Sequence, residues 1–384
     1  MAAWTGARSP RSGSSRSSIT MTDTQRNQYR PTVVPSPGEL LKDFLEERRM
    51  TQSGLADRTG LTLKTINAIV RGKAPITPQT ARRLELVLGM PAEVWSRAEQ
   101  TWQEWRVRQN ENEELKKHVD LLKAVPYATM KKHGWVRDVS SRVDKLREIL
   151  EFFAVGTVDQ LRNRCLNPEA TYRRTTAFEN RSTHIAVWLR EGERQAYEIR
   201  TGSYSPQKFR QALAAVRAHT QTTGGGTARF VTDTCASAGV VVTFVKEIPK
   251  APISGACHWL APDRALIQLS LRGKSDDQLW FSFFHEAGHI LKHPKKRGFV
   301  DIDKSQLEDS SLEEEADKFA RDFLIPPAEY SRFREQAPNP TEAAILEFAK
   351  RIGIASGIVV GRLQHEQVIG FNQMNGLKTR LDWA

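Results

Sequence analysis

The sequence predicts a mainly α protein with a small β-sheet. Apolar residues recur at helical spacing along most of the 384 residues, and helix start and stop signals punctuate the N-terminal third. Only residues 240–245 and 265–271 are β-branched, apolar runs typical of strands. We therefore expect an all-α bundle first, then a helical middle segment, then an α+β domain.

Composition narrows the class of protein. A hydrophobic share of 39% with 27% charged residues is typical of a soluble globular chain, and no apolar run is long enough to span a membrane. The net charge of +12 favours a polyanionic partner. Cys165, Cys235 and Cys257 are scattered without CxxC spacing. This pattern excludes a disulfide framework and a cysteine zinc site, and it predicts a cytoplasmic location.

Turn signals and shifts in composition divide the chain into five segments. The first is rich in Ser and Arg and nearly free of acids, which predicts a disordered basic tail. The predicted segments are the tail at 1–35, a helix-turn-helix bundle at 36–106, a helical middle region at 107–221, a metal-site domain at 222–335 and its helical extension at 336–384. Helical periodicity at 142–153 and 206–219 carries no visible chemistry, so the middle region is interpreted as a spacer or sensor.

Residues 51–72 have the punctuation of a helix-turn-helix. Gln52 begins one helix, Gly60 makes the turn, Thr62 caps the next helix, and Ile66 and Ile69 point that helix inward. Together with residues 75–95, this stretch resembles the Xre/HigA class of repressors and antitoxins. The resemblance implies binding of double-stranded DNA and pairing into a homodimer.

In that class the third helix enters the major groove from its N-terminal end. Leu63 and Ala68 are apolar where polar residues are common, so contact with thymine methyl groups is expected there. The resemblance implies base contacts by Thr62, Leu63, Lys64, Asn67 and Ala68, and phosphate contacts by Gln52, Arg71 and Lys73.

Residues 280–293, WFSFFHEAGHILKH, contain an HExxH motif. His285 and His289 are four residues apart, about 40° around a helix, so both rings can reach one ion. Glu286 lies about 100° from His285, where it can contact a metal-bound water without being a ligand. The surrounding aromatic residues predict a buried helix. A zinc site follows, and a helix with two structural histidines is the alternative.

A third ligand is expected from the next helix, residues 311–326. Glu313 and Glu315 both flank its apolar stripe, and periodicity cannot choose between them. Acids near a helix start are also common partners of the helix dipole.

Residues 280–293 with 315–326 (EADKFARDFLIP) resemble the ImmA/IrrE family of zinc metallopeptidases. Residues 255–271 and 352–364 resemble its strand pair and its C-terminal helical element. The resemblance implies a zincin-like domain that binds Zn²⁺ through His285, His289 and Glu315. It implies Glu286 as the catalytic acid/base and Asp317 as a residue supporting the ligands from outside.

Two functional hypotheses follow. The first is a DNA-associated regulatory zinc metalloendopeptidase that cleaves a transcriptional repressor or an antitoxin, with residues 265–271 as an edge strand for the substrate. The second is a non-catalytic, HigA-like antitoxin or transcriptional regulator that uses the zinc domain as a sensor or scaffold. Filled ligand and base positions favour the enzyme. A weaker third hypothesis is that the first domain binds only protein.

Overall fold

The computed structural model describes residues 2–4, 33–166, 182–222, 224–295, 299–302 and 310–383. The chain divides into two compact units. One comprises Arg11–His118, and the other comprises Met1–Pro10 with Val119–Ala384.

In its described part, residues 33–118, the first unit is a bundle of five helices whose starts are set by local signals. The side chains of Ser36, Thr51, Thr62 and Thr77 each accept a hydrogen bond from a backbone N–H in the first turn of the helix that follows. Gly60 takes the left-handed conformation (φ 66°) that the predicted turn requires. The helices are α1 Pro37–Glu47, α2 Gln52–Thr59, α3 Leu63–Val70, α4 Pro78–Leu88 and α5 Ala92–Lys117.

The second unit is also mainly helical. The two middle-region helices predicted from periodicity are confirmed, and their bounds agree with those of α7 and α10. The helices of this unit are α6 Tyr127–Lys132, α7 Arg142–Phe153, α8 Val158–Gln160, α9 Ser182–Tyr197, α10 Pro206–His219, α11 Thr227–Ala236, α12 Asp276–Lys292, α13 Ser310–Leu324, α14 Pro327–Gln336, α15 Glu342–Ile352 and α16 Ser356–His365.

Six short strands, counted over the residues that the structure describes, complete the second unit. Its larger sheet has the order β2-β4-β3-β5, with β2 parallel to β4 and β3 antiparallel to both β4 and β5. Strand β1, which lies inside the predicted disordered tail, pairs in parallel with β6. The strands are β1 Ala2–Trp4, β2 Val240–Phe244, β3 Ile253–Ala261, β4 Arg264–Leu269, β5 Phe299–Ile302 and β6 Leu381–Trp383.

The expectation that residues 265–271 form an edge strand is wrong. Strand β4 is hydrogen-bonded to β2 on one side and to β3 on the other, so its backbone groups are already used. A substrate strand cannot pair there without displacing one of these neighbours.

Helix α12 lies at the centre of the second unit, packed against β3, α13 and α16. Trp280, Phe283 and Phe284 are fully buried in its core. Phe209 and Leu213 of α10 belong to that same core, so the middle region and the metal-site domain share packing. The predicted fold class, mainly α with a small β-sheet, is confirmed. Among the described helices, none is long and apolar enough to cross a membrane.

Candidate functional site

The HExxH residues lie on the most deeply buried face of α12. The exposed fractions of His285, Glu286 and His289 are 2%, 0% and 2%. Aromatic residues pack on both sides of the motif, as the sequence predicts for a buried helix. Polar groups at this depth require polar partners, and the neighbouring helix α13 supplies several of them.

Three side chains converge on one point. The Nε2 atoms of His285 and His289 are 3.0 Å apart. The carboxylate of Glu313 lies 3.1 Å from Nε2 of His285 and 3.5 Å from Nε2 of His289. Ligands around a tetrahedral zinc ion, with bonds of 2.0–2.1 Å to nitrogen, lie about 3.3 Å from one another. These three residues could therefore hold a metal ion.

The expectation for Glu315 is corrected by this geometry. Its carboxylate lies 3.3 Å from Nε2 of His293 and 3.6 Å from Nζ of Lys292, and its side chain is 47% exposed against 17% for Glu313. Residues two positions apart on a helix are separated by about 200° around its axis, so Glu313 and Glu315 face different directions. The crossing of α13 over α12 decides which of them meets the histidines.

The protonation states of this cluster suit a metal ligand set. Burial lowers the pKa of His289 to about 4, which leaves its ring neutral near pH 7. Burial alone would raise the pKa of Glu313, but its hydrogen bonds with His285 and His289 outweigh this effect and lower the pKa to about 2. A neutral imidazole and an ionised carboxylate are the forms that bind a cation.

The Nδ1 atom of each of these two histidine rings also contacts a neighbouring side chain. Nδ1 of His285 lies 2.9 Å from Oδ1 of Asp317. Nδ1 of His289 lies 2.8 Å from Nδ1 of His293, whose Nε2 faces Glu315. Outer contacts of this kind fix the orientation of metal-binding histidines. Sequence reasoning missed His293, although its position four residues after His289 was the available signal.

Two glycines make room for the cluster. A Cβ atom at Gly255 of β3 would lie 2.7 Å from Oε1 of Glu286, so only glycine lets the strand pass this carboxylate. A Cβ atom at Gly288 would lie 3.1 Å from the ring of Phe319 and 3.3 Å from Cα of Ala316. Gly288 thus permits the close approach of α13 that brings Glu313 to the histidines.

The predicted DNA-contact residues lie on α2, α3 and the segment after α3. Ile66 and Ile69 are buried, as predicted, and this orients the opposite side of α3 outward. Leu63, at the start of α3, is 45% exposed. Thr62, Leu63, Lys64, Arg71 and Lys73 are exposed, whereas Gln52, Asn67 and Ala68 are partly buried.

The two units thus define a helix-turn-helix bundle and a domain with an HExxH helix, joined in one chain. Comparison with known families agrees. Residues 41–95 match the helix-turn-helix family, and residues 235–364 match the IrrE N-terminal-like domain family. The predicted fusion is confirmed: one chain contains a helix-turn-helix region and an ImmA/IrrE-like region.

Individual relatives match a part of the chain. Over 68 residues, 18% of this chain and 72% of the relative, the chain is 26% identical to an uncharacterized HTH-type transcriptional regulator, YddM, of Escherichia coli. A crystal structure of a candidate antidote protein of a plasmid maintenance system from Nostoc punctiforme is 29% identical (22% of this chain, 94% of that chain, TM-score 0.22). An addiction module antidote protein of a HigA family from Coxiella burnetii is 24% identical (22% and 91%, TM-score 0.20). TM-scores this low do not extend the likeness to the rest of the chain.

Proposed function

We propose that this protein is a DNA-associated zinc metalloendopeptidase that cleaves a transcriptional repressor or an antitoxin. The observation that carries the proposal is the convergence of His285, His289 and Glu313 beside the buried Glu286. The match of residues 235–364 to the IrrE N-terminal-like domain supports it independently of that geometry. The ligand set proposed here replaces Glu315 with Glu313.

The chemistry is divided between the ion and the chain. A bound zinc ion would act as a Lewis acid and lower the pKa of a water molecule that it binds. Glu286 would take a proton from the attacking water and pass it to the leaving amine of the peptide. His285 and His289 would present Nε2 to the ion, because Asp317 and His293 hold their Nδ1 atoms on the opposite side.

The N-terminal unit would place this activity at DNA. A helix-turn-helix domain, an exposed N-terminal end of α3 and a net charge of +12 support binding to double-stranded DNA through the eight residues named above. A peptidase held at a promoter meets DNA-bound repressors at high effective concentration. A homodimer and a cytoplasmic location stay predictions.

Replacing Glu286 with Gln tests the proposal. The variant should keep its zinc, which elemental analysis measures. Cleavage is measured by the new protein N-termini that appear in cells with the wild-type protein, and their abundance should fall at least about a hundredfold with the variant. Glu335→Gln, an exposed acid on α14, is the matched control and should cleave like the wild type.

Two outcomes would contradict the proposed function. Unchanged cleavage by Glu286→Gln would remove this residue from the mechanism. The non-catalytic regulator would be favoured if the wild-type protein produces no new N-termini and promoter repression is equal with the wild-type and the Glu286→Gln protein.

A further inference from the structure

A large cavity lies beside helix α12 in the second unit. Its volume is about 1130 Å³, and it lies between the start of α12, the end of α13, helix α16 and the C-terminal segment. Among its described lining residues, Asp277 is the one carboxylate. Six basic side chains line it: Arg272, Lys274, Arg321, Arg362, Lys378 and Arg380.

Not all of these cations are equally available. Lys378 lies 2.7 Å from Asp277, and Arg362 is paired with Glu366. Lys274 and Arg380 lie 3.6 and 3.7 Å from Asp382. Arg272 donates to the backbone carbonyl of Pro252 at 2.8 Å.

Arg321 differs from the other five. Within the described part of the chain it forms no ion pair at contact distance, although Glu366 lies near enough to interact with its charge, and its Nε is buried without a hydrogen-bond partner. A guanidinium held in this way retains most of its capacity for a bidentate pair with a carboxylate.

Three secondary-structure elements, α12, α13 and β3, connect this cavity to the candidate metal site formed by His285, His289 and Glu313. Phe281, in its wall, precedes His285 by one helical turn, and their ring centroids are 6.2 Å apart. Arg321 follows Asp317 by four residues and therefore lies on the same side of α13. Ser254 directly precedes Gly255, the residue beside Glu286. A chain that leaves the cluster along α12 and α13 thus enters the cavity.

We propose that this cavity binds an acidic segment of the polypeptide substrate, with Arg321 as the residue that selects a carboxylate. The proposal rests on the proposed function for its substrate class. The six cations outnumber the three carboxylates that lie against them, Asp277 in the wall and the paired Glu366 and Asp382, so the cavity favours an anionic occupant. Leu324, Ile325 and Ile358 add an apolar wall that suits a peptide better than a hydrated small ion. The carboxylate can come from an acidic side chain or from a free chain terminus.

Direct binding tests the proposal without requiring cleavage. Fluorescein-labelled peptides of alternating Leu and Glu, with free or amidated C-termini, are titrated by anisotropy into full-length Glu286→Gln protein, alongside peptides with Gln in place of Glu. We expect the Glu peptides to bind at least about tenfold more tightly than the Gln peptides, and more weakly as salt rises. Loss of binding on amidation alone would assign the chain terminus as the carboxylate, which also supports the proposal.

Variants then assign the effect to Arg321. Added to the Glu286→Gln protein, Arg321→Gln should weaken binding of the Glu peptide about tenfold and Arg321→Lys less, with an unchanged thermal midpoint. Arg229→Gln removes an exposed arginine on α11, which is paired with Asp233 outside the cavity, and should have no effect.

The proposal is overturned by equal affinity for Glu and Gln peptides, by equal effects of Arg321→Gln and Arg229→Gln, or by no saturable binding up to about 1 mM. Binding of a DNA oligonucleotide that depends on Arg321 where acidic peptides do not bind would also overturn it. Arg321-dependent peptide binding without any cleavage by wild-type protein would instead contradict only the proposed function.

Discussion

The two candidate functional regions relate to their hydrophobic cores in opposite ways. On α3, the predicted contact residues face solvent while Ile66 and Ile69 face inward. On α12, His285 and Glu286 are themselves within the core, surrounded by aromatic side chains. A DNA contact can therefore be lost with the bundle intact, whereas a change in the metal cluster alters buried charge.

The difference also concerns which part of the chain supplies each function. The predicted DNA-contact residues come from one continuous stretch of about 22 residues, organised by caps and one glycine turn. The metal cluster requires α12, α13 and β3, which are separated by long connections. Four variants sharpen or break this contrast.

The largest effect is expected from Glu313→Ala. Loss of a ligand should lower zinc affinity by more than about a hundredfold, because the effect should exceed that of losing an outer contact. Glu315→Ala is the matched control on the same helix and should lower it less. Both are measured by competition with a chelator. A larger loss with Glu315→Ala would restore the choice that the sequence resemblance makes.

An effect of similar size is expected at Asp276, on how the free energy of unfolding changes with pH. This residue is buried at the start of α12 and accepts backbone hydrogen bonds from Asp277 and Thr379. Burial, followed by the nearby charge of Asp277, raises the pKa of Asp276 to about 6. Because the folded-state pKa exceeds the unfolded value, this group stabilises the fold below pH ~4 and the contribution is lost as pH rises through 6.

Asp276→Asn keeps the acceptor oxygen and removes the titration. Relative to this variant, the wild-type free energy of unfolding should fall by about 3 kcal/mol between pH 4 and 7. Urea unfolding of metal-free protein followed by tryptophan fluorescence measures the difference. Parallel pH profiles would show that Asp276 does not titrate in this range.

His293→Ala should lower zinc affinity by about 10- to 100-fold, since Nδ1 of His289 would lose its contact. His365→Ala, far along the chain and outside the cluster, is the control. If both variants bind zinc like the wild type, His293 has a packing role only.

Lys73→Ala removes an exposed side chain that is predicted to contact phosphate, and it should have the smallest effect. DNA affinity is expected to fall by about tenfold or less, and the slope of log affinity against log salt should decrease by about one. The free energy of unfolding should change by less than about 0.5 kcal/mol, because the side chain is exposed. A large loss of stability would contradict the separation of function from core in this unit.

Sequence reasoning worked best where the signal is local. The cap at Thr62, the turn at Gly60 and the bounds of α7 and α10 all follow from neighbours within a few residues. It was less successful with strand neighbours. β4 was expected at an edge and lies inside the sheet, because pairing depends on residues far along the chain.

The sequence by itself determined the fold class, the fusion of two domains and the HExxH helix, since four-residue spacing places His285 and His289 side by side on any α-helix. Only the tertiary structure decided that Glu313 rather than Glu315 meets them, and that His293 supports His289 from behind. The physical reason is that periodicity defines a side chain's direction relative to its own helix axis, while the crossing of α13 over α12 defines what that direction faces.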